Sequence, residues 1–162
     1  MHLRTYLCSR HHPEPYVKGG YLQIDNLNWL GEGTLADLMK YVTVKIGHME
    51  VNYGDMHFRR SDNAQAIYNP FVGNTILDAF TTEVAGELYY RRNGWIGMVG
   101  FTNGKLNQAV DKPDTTSPSF IAKLGYDKQV NEDFRFRLTG SLYTTAQTSR
   151  SYLYNGDRAG AR

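Results

Sequence analysis

The sequence predicts an all-β protein: an antiparallel transmembrane β-barrel, of which this chain forms an incomplete segment of about five to six strands. Apolar and polar residues alternate with a period of two in several runs, turn-forming residues separate these runs, and long and short connections follow one another. A period of two places neighbouring side chains on opposite faces of a strand, and unequal connections are typical of outer-membrane barrels. Because the smallest bacterial barrels have eight strands, five or six cannot close one.

The composition limits the function classes. The chain has 162 residues, with 18 Lys and Arg against 16 Asp and Glu, so its net charge of +2 does not indicate a nucleic-acid-binding protein. No apolar run is long enough for a transmembrane helix. The 12 Tyr and 16 Gly are typical of a sheet protein with polar loops. Cys8 is the only cysteine, which excludes an internal disulfide.

The N-terminal part carries weak signals. Residues 1–20 lack the apolar core that a secretory signal requires, and we interpret them as an irregular or artefactual segment that precedes a partial barrel over 21–162. A weak alternation over 21–29 indicates one doubtful strand. The stretch 34–40 predicts a short helical turn, with Thr34 as its N-cap.

Five later runs alternate clearly enough to predict strands. These runs are 41–47, 81–90, 95–102, 120–126 and 134–143. Asn93–Gly94 separates the second run from the third and predicts a tight hairpin. The predicted connections are long at 54–80, at 103–118 and from 146 onward, and short at 91–94 and at 127–133. Short periplasmic turns and longer outer loops would produce this order.

The two predicted faces differ in chemistry. One face is apolar, and six aromatic residues lie near its strand ends, where a membrane girdle needs amphipathic rings. These girdle residues are Tyr90, Trp95, Phe101, Phe120, Tyr126 and Phe134. The opposite face carries charges, which would line a water-filled lumen. A soluble antiparallel protein has the same periodicity, so alternation alone does not separate the two structures.

Eight charged residues are candidates for lining or narrowing a pore. They are Lys45, Arg59, Arg60, Glu83, Glu87, Lys123, Arg135 and Arg137. Arg59 and Arg60 lie in the long loop 54–80, which could fold inward and attract anions at a constriction. The alternative interpretation is two solvated arginines that pair with Asp55 or Asp62.

The charges on the last two predicted strands have two interpretations as well. Lys123, Arg135 and Arg137 could bind solutes along the lumen. We favour a second interpretation, in which Glu83 and Glu87 neutralise them as a ladder of ion pairs across the barrel wall.

Catalytic and metal-binding motifs are weak or missing in the sequence. His48, Glu50, Asp55 and His57 are metal-ligand types, but their spacing matches no established motif, and we predict no metal site. A phosphate-binding loop, a serine nucleophile elbow and a CxxC pair are also missing. The sequence therefore predicts neither an enzyme nor a cofactor.

Two stretches of the chain are similar to a known family. They are VTVKIGHMEVNYGDMHFRRSDNAQAIYNPFVGNTILDAFTTEVAGELYY (42–90) and KLGYDKQVNEDFRFRLTGSLY (123–143). They resemble porin-like outer-membrane β-barrel proteins of Bacteroidota-type bacteria, which are distantly like the phosphate-selective porins. The resemblance extends over 41–160 and leaves out 1–20, and it suggests that the chain is a fragment of a longer barrel.

The resemblance implies a passive or weakly selective channel in the bacterial outer membrane. Its expected partners are outer-membrane lipid and small solutes or anions, with no nucleic acid, and a homo-oligomer is compatible with it. In the phosphate-selective relatives, anion passage depends on basic lumen residues and an inward-folded loop. No single phosphate-site residue carries over, because the motif does not match position by position. Two alternatives stay open: a soluble β-barrel or sandwich that binds a small ligand, and a barrel with a structural role and no open channel.

Overall fold

A computed structural model describes residues 1–8, 14–26, 33–55, 66–68, 82–105 and 116–148, and the fold is described for these ranges. Seven antiparallel strands form one sheet, in which each strand pairs with its neighbour in sequence. The strands are β1 (His2–Cys8), β2 (Glu14–Ile24), β3 (Val42–Glu50), β4 (Thr82–Arg92), β5 (Trp95–Thr102), β6 (Ser119–Gln129) and β7 (Arg135–Thr145). This sheet is open, with β1 and β7 at its edges. The predicted all-β, antiparallel and incomplete sheet is therefore confirmed.

The hairpin between β4 and β5 has the conformation that its sequence predicts. Arg92 pairs with Trp95, so only Asn93 and Gly94 form the turn. Both residues have a positive φ, 51° for Asn93 and 88° for Gly94. Asn-Gly adopts this conformation readily, and its twist matches that of the flanking strands.

Within the N-terminal stretch, the structure differs from the irregular conformation that the sequence predicted. β1 and the first seven residues of β2 lie within 1–20, and the described residues form seven strands where about five to six were expected. Arg4 pairs with Gly19 and Thr5 with Val17, so β2 carries one extra residue at this point, and this residue interrupts the period of two from which β2 would be recognised. Pairing with β2 supplies the backbone hydrogen bonds, and the His2 ring stacks on the Tyr21 ring at 5.0 Å.

The predicted helical turn is confirmed as α1 (Thr34–Met39), but its predicted cap is wrong. Gly33 occupies the N-cap position, and no side chain caps the helix there. The first turn is closed by the backbone, since Asp37 N–H donates to the Gly33 carbonyl at 3.1 Å. Thr34 therefore begins the helix instead of preceding it.

Two predicted boundaries move when the strands pair. The predicted link 127–133 is shortened, because β6 continues to Gln129 opposite Arg135. The turn is closed by Val130 N–H, which donates to the Phe134 carbonyl at 2.8 Å. Similarly, β3 extends past its predicted end to Glu50, which pairs with Thr82.

The alternation of connection lengths holds only from β3 onward. The Asn93–Gly94 turn and the turn 130–134 lie at one end of the sheet, which we call the turn end, and the longer connections 51–81 and 103–118 lie at the other. However, 25–41 joins β2 to β3 at the turn end and contains α1. Tyr41, after this helix, accepts a hydrogen bond from Arg91 N–H at 2.8 Å.

A short segment after β3 covers one face of the sheet. We call Val51–Asp55 the inner segment, and the face beneath it the inner face. Val51 packs in a small buried cluster with Tyr89 on β4, Met98 on β5 and Ile121 on β6. The core of the described structure therefore lies between the inner segment and the middle strands.

Candidate functional site: the inner face of the sheet

On this sheet, charged side chains are buried on one face and apolar side chains are exposed on the other, which is the reverse of the usual arrangement in soluble proteins. On the inner face, Glu83, Glu87 and Lys123 are 0%, 3% and 7% exposed. On the opposite side, which we call the outer face, Leu124 and Leu138 are 65% and 66% exposed. Because charged residues are rarely buried in soluble proteins unless they are paired, this pattern needs an explanation.

Lys123 holds the inner segment against β6. Its ammonium group donates to Asn52 Oδ1 at 2.6 Å, to the Gly54 carbonyl at 2.9 Å and to Asp55 Oδ1 at 3.0 Å. These three acceptors match the three donors of a lysine ammonium group. The buried charge of Lys123 is thus compensated by the inner segment.

Asp55 ties the same segment to β7. Its Oδ2 atom accepts hydrogen bonds from Arg137 Nε at 2.9 Å and from Thr139 Oγ1 at 3.0 Å. Burial alone would raise the pKa of Asp55, but the hydrogen bonds from Arg137 and Lys123 outweigh burial and hold the pKa well below its usual range. Asp55 is therefore ionised and is the common anion of two cations.

The predicted ladder of ion pairs has the wrong partners for its two arginines, whereas Lys123 interacts electrostatically with Glu87 as well as pairing with Asp55. Arg135 makes a bidentate pair with Asp127, with two nitrogen–oxygen distances of 2.7 Å, and Arg137 also contacts Asp127. Among the described residues, neither arginine pairs with Glu83 or Glu87. The reason is the strand order, because β5 lies between the glutamates on β4 and the basic residues on β6 and β7.

The two buried glutamates accept hydrogen bonds from tyrosines. Tyr143 donates to Glu83 Oε1 at 3.2 Å, and Tyr89 donates to Glu87 Oε2 at 2.5 Å. Within the described ranges, the second oxygen of each glutamate has no hydrogen-bond partner. These oxygens are acceptors to which a water or a solute could donate.

A group of basic and tyrosine side chains lies on β2, β3 and β4, toward the turn end. Lys45 Nζ is 5.2 Å from the Tyr21 ring centroid and 5.1 Å from the Tyr89 ring centroid. Arg91 Cζ is 5.3 Å from the same Tyr89 ring. We call these four residues the basic tyrosine cluster. Both cations are within the distance at which an aromatic ring attracts a positive charge.

The cluster borders a cavity of about 700 Å³ on the inner face. Its other walls include Asn52 and Asp55 of the inner segment, together with Glu87 and Asp127. The cavity has the size of a small-molecule site and has charges of both signs around it. It can therefore accept a small polar solute.

Six of the eight predicted charged candidates lie on the inner face. These are Lys45, Glu83, Glu87, Lys123, Arg135 and Arg137. Arg59 and Arg60 lie outside the described residues. The prediction missed Arg91, although it continues the alternation of Glu87 and Tyr89 on β4. It also missed the role of Asn52 as a partner of Lys123, because a loop residue has no periodic signal.

Aromatic pairs lie at both ends of the outer face. The Trp95 and Tyr126 rings are 5.2 Å apart at the turn end, and the Phe101 and Phe120 rings are 5.2 Å apart at the other end. Each pair joins residues directly opposite one another on β5 and β6. Four of the six predicted girdle residues therefore form cross-strand pairs.

The other two predicted girdle residues lie at the turn end. The Tyr90 ring is 6.4 Å from the Tyr41 ring, which also lies 4.8 Å from the guanidinium carbon of Arg92. Phe134 is exposed and lies in the turn before β7, outside the strand in which it was predicted.

The described ranges contain no group of three or more His, Cys, Asp or Glu side chains that could hold a metal ion. In this part of the chain, no helix is long and apolar enough to cross a membrane.

The fold and the site define a protein with an open antiparallel sheet, a covered and charged inner face, and an exposed apolar outer face. Comparisons with protein-family models, curated proteins and solved structures find no match for the chain.

Proposed function

We propose that the chain forms part of the wall of a porin-type β-barrel in the bacterial outer membrane and takes part in the passive diffusion of small solutes, anions among them. The reversed burial on the sheet carries this proposal. In a soluble sandwich or barrel the apolar faces pack together and the charged faces meet water. A lipid environment suits the exposed leucines of the outer face, because apolar surface in water costs about 25 cal/mol per Å².

The outer face also has dimensions that suit a membrane. Trp95 and Phe101, which belong to the two aromatic pairs, are six positions apart on β5, about 20 Å at 3.3 Å per residue. The apolar band of outer-membrane barrels is about 25 Å tall and lies between two aromatic girdles. Between the pairs, the outer face carries Val99 and Leu124, both exposed.

The inner face supplies the polar environment that a diffusing solute needs. The cavity of about 700 Å³ has charged and aromatic walls, and the inner segment narrows the space over β5 and β6. In this proposal the outer face contacts lipid, while solutes pass along the inner face.

The cavity also favours a second candidate, a soluble β protein that binds a small ligand. A volume of this size with a few polar groups is typical of ligand pockets. This candidate requires another layer to cover the outer face, because contiguous apolar surface of this kind marks an interaction site. The lipid interpretation needs no additional layer of protein.

Folding of the full chain in plain buffer, in detergent micelles and in lipid vesicles tests the proposal. Circular dichroism should give a cooperative β signal only with detergent or lipid, and the folded chain should float with vesicles. Because the seven described strands do not close a barrel, ion conductance in planar bilayers is expected only where copies of the chain associate to complete one. A cooperative β fold in plain buffer would exclude the porin proposal and favour the ligand-binding candidate. Stable insertion of associated copies without conductance would favour a barrel with a structural role.

A further inference from the structure

The two ends of the outer face differ in their chemistry. At the turn end, one row of residues across β4, β5, β6 and β7 consists of Arg92, Trp95, Tyr126 and Leu138. We call it the turn-end row. The equivalent row at the other end consists of Gly86, Phe101, Phe120 and Thr144. Both rows contain an aromatic pair on β5 and β6, but only the turn-end row contains a cation. Positive charge on this part of the outer face is therefore concentrated at the turn end.

Arg92 has a positive charge that the described residues do not neutralise. It is exposed, and its guanidinium carbon lies 4.8 Å from the centroid of the Tyr41 ring. Among the described residues Arg92 makes no ion pair, and Asp37, in the link before Tyr41, pairs with Lys40 instead. A guanidinium group that lies on a ring keeps its N–H groups for other partners. Arg92 can therefore bind an anion on the outer face.

A second basic residue at the turn end, Lys128, contributes less. It is exposed and lies two positions beyond Tyr126 on β6, but the turn that follows contains Glu132 and Asp133. Charges a few residues apart in a tight turn are within the screening length of about 10 Å, so these carboxylates offset the lysine. The attraction of an anion to the turn-end row therefore depends mainly on Arg92.

The aromatic pair of the turn-end row adds hydrogen-bond donors beside Arg92. Trp95 lies directly opposite Arg92, and the Tyr126 ring contacts the Trp95 ring from the next strand. The indole N–H and the phenol O–H are donors, and neither has a hydrogen-bond partner in the described ranges. The two phenylalanines of the equivalent pair have no such groups. Donors therefore lie on three neighbouring residues of the turn-end row.

A gap in the apolar surface begins beside the turn-end row. Gly97 is the next outer-face residue after Trp95 on β5, and it lies between Tyr90 on β4 and Leu124 on β6. A Cβ atom placed on Gly97 would meet no atom within 4 Å. The side chains of Tyr90, Trp95 and Leu124 surround this gap, and all three are exposed. A hydrocarbon chain can therefore lie over Gly97 while a polar group attached to it meets Arg92.

We infer that the turn-end row binds a phospholipid with an anionic headgroup, whose phosphate contacts Arg92, Trp95 and Tyr126 while one acyl chain lies over Gly97. This inference rests on the proposed function, in which the outer face contacts lipid, and names the class of lipid that this face prefers. Arginine offers phosphate a planar pair of donors, and each basic residue near an anionic leaflet strengthens binding. A zwitterionic headgroup carries its own cation, which Arg92 repels.

Lipid retention by the full chain tests this inference. The chain, folded in detergent micelles, is given equal amounts of anionic phosphatidylglycerol and zwitterionic phosphatidylcholine, and the bound lipids are identified by native mass spectrometry. The variants are Arg92→Gln and Arg92→Lys. The matched control is Arg91→Gln, which removes the same charge from the adjacent residue, whose side chain lies against the Tyr89 ring of the inner face. Circular dichroism checks that each variant folds.

The original chain should retain phosphatidylglycerol in preference to phosphatidylcholine. Arg92→Gln should lower the retention of phosphatidylglycerol by about five-fold, the contribution of one basic residue at an anionic membrane surface. Arg92→Lys should keep most of the preference, and Arg91→Gln should leave it near that of the original chain. Equal retention of the two lipids, or equal losses in Arg91→Gln and Arg92→Gln, would overturn the inference.

Two further measurements separate this site from its alternatives. Excess inorganic phosphate should not displace the retained phosphatidylglycerol, because the acyl chain holds it as well. Displacement would indicate a site for free phosphate and would overturn the inference. Folding in vesicles of phosphatidylcholine alone tests the porin proposal separately. A chain that folds there without any preference for phosphatidylglycerol overturns the inference and leaves the porin proposal supported, whereas a cooperative fold in plain buffer overturns both.

Discussion

Lys123 on β6 and Asp55 in the inner segment form an ion pair of 3.0 Å between residues 68 positions apart in the sequence. The contact places a loop on the inner face of the sheet and compensates a charge that would otherwise be buried alone. Arg137 shares the same carboxylate, so one anion joins the inner segment to two strands. Asp55 therefore links the inner segment to both β6 and β7.

The substitution Asp55→Asn should destabilise the folded chain. It removes the anion that compensates Lys123 and Arg137, and breaking a buried pair in this way costs about 3–5 kcal/mol. Because Asp55 and Arg137 are partly exposed to water, we expect the free energy of unfolding to decrease by about 2 kcal/mol. Urea unfolding in detergent micelles, followed by circular dichroism, measures it.

The control for this prediction is Asp37→Asn. Asp37 also pairs with a lysine, Lys40, at 2.6 Å, but both side chains are exposed. Exposed pairs of this kind contribute at most about 1 kcal/mol. If Asp55→Asn destabilises the chain no more than Asp37→Asn does, the inner segment is not held by this carboxylate.

The contribution of Asp55 should depend on pH in a defined direction. Its pKa in the folded chain is depressed, while in the unfolded chain it is about 4. The stabilisation by Asp55 is therefore complete when the pH is above the pKa of Asp55 in the unfolded chain. It is lost as the pH falls toward the pKa of Asp55 in the folded chain. The stability difference between the original chain and Asp55→Asn should be constant from about pH 7 to about pH 5 and smaller at about pH 3. A difference that already decreases above pH 5 would contradict the depressed pKa.

A charge in the middle of the outer face should prevent stable insertion into lipid. Leu124 lies on the outer face, opposite Gly97 and Gly140 on the neighbouring strands. Leu124→Lys should destabilise the chain in vesicles by about 2–4 kcal/mol, the cost of a lysine at the centre of the apolar band. Unfolding of the vesicle-bound chain by urea measures this change in the free energy of unfolding.

The position control for Leu124→Lys is Thr144→Lys. Thr144 is on the outer face, opposite Phe120, near the end of β7. A lysine near the membrane interface costs only about 0–1 kcal/mol. Equal and small effects at both positions would indicate that the outer face does not lie in lipid.

Gly104 should not tolerate a side chain. It has a φ of 70°, and a Cβ atom there would lie 1.8 Å from the Ser117 carbonyl oxygen. Gly104→Ala should therefore destabilise the chain by about 2 kcal/mol or more, because both the backbone strain and the overlap must be relieved. Thermal unfolding in micelles measures the loss. Gly86→Ala is the control, since a Cβ atom at Gly86 meets no atom within 4 Å, and a similar loss in both variants would contradict the argument.

The sequence predicted the fold best around the hairpin of β4 and β5. The limits of β5 were predicted to the residue, and the Asn93–Gly94 turn followed from its two residue types. Prediction failed for the first part of β2, where an extra residue opposite Arg4 and Thr5 interrupts the period of two. It also failed for the partners of Arg135, since periodicity places a residue on a face but does not give the order of contacts across the sheet.

The sequence by itself determined that the chain forms antiparallel strands with one apolar and one charged face, because the period of two is a local property of an extended backbone. It also placed Lys45, Glu87 and Lys123 on a common face. Only the tertiary structure decided which face is covered, since the inner segment is a loop without any period and reaches Lys123 through long-range contacts. It likewise decided that Arg91 and Lys45 share one tyrosine ring, because the pairing of β3 with β4 brings them together.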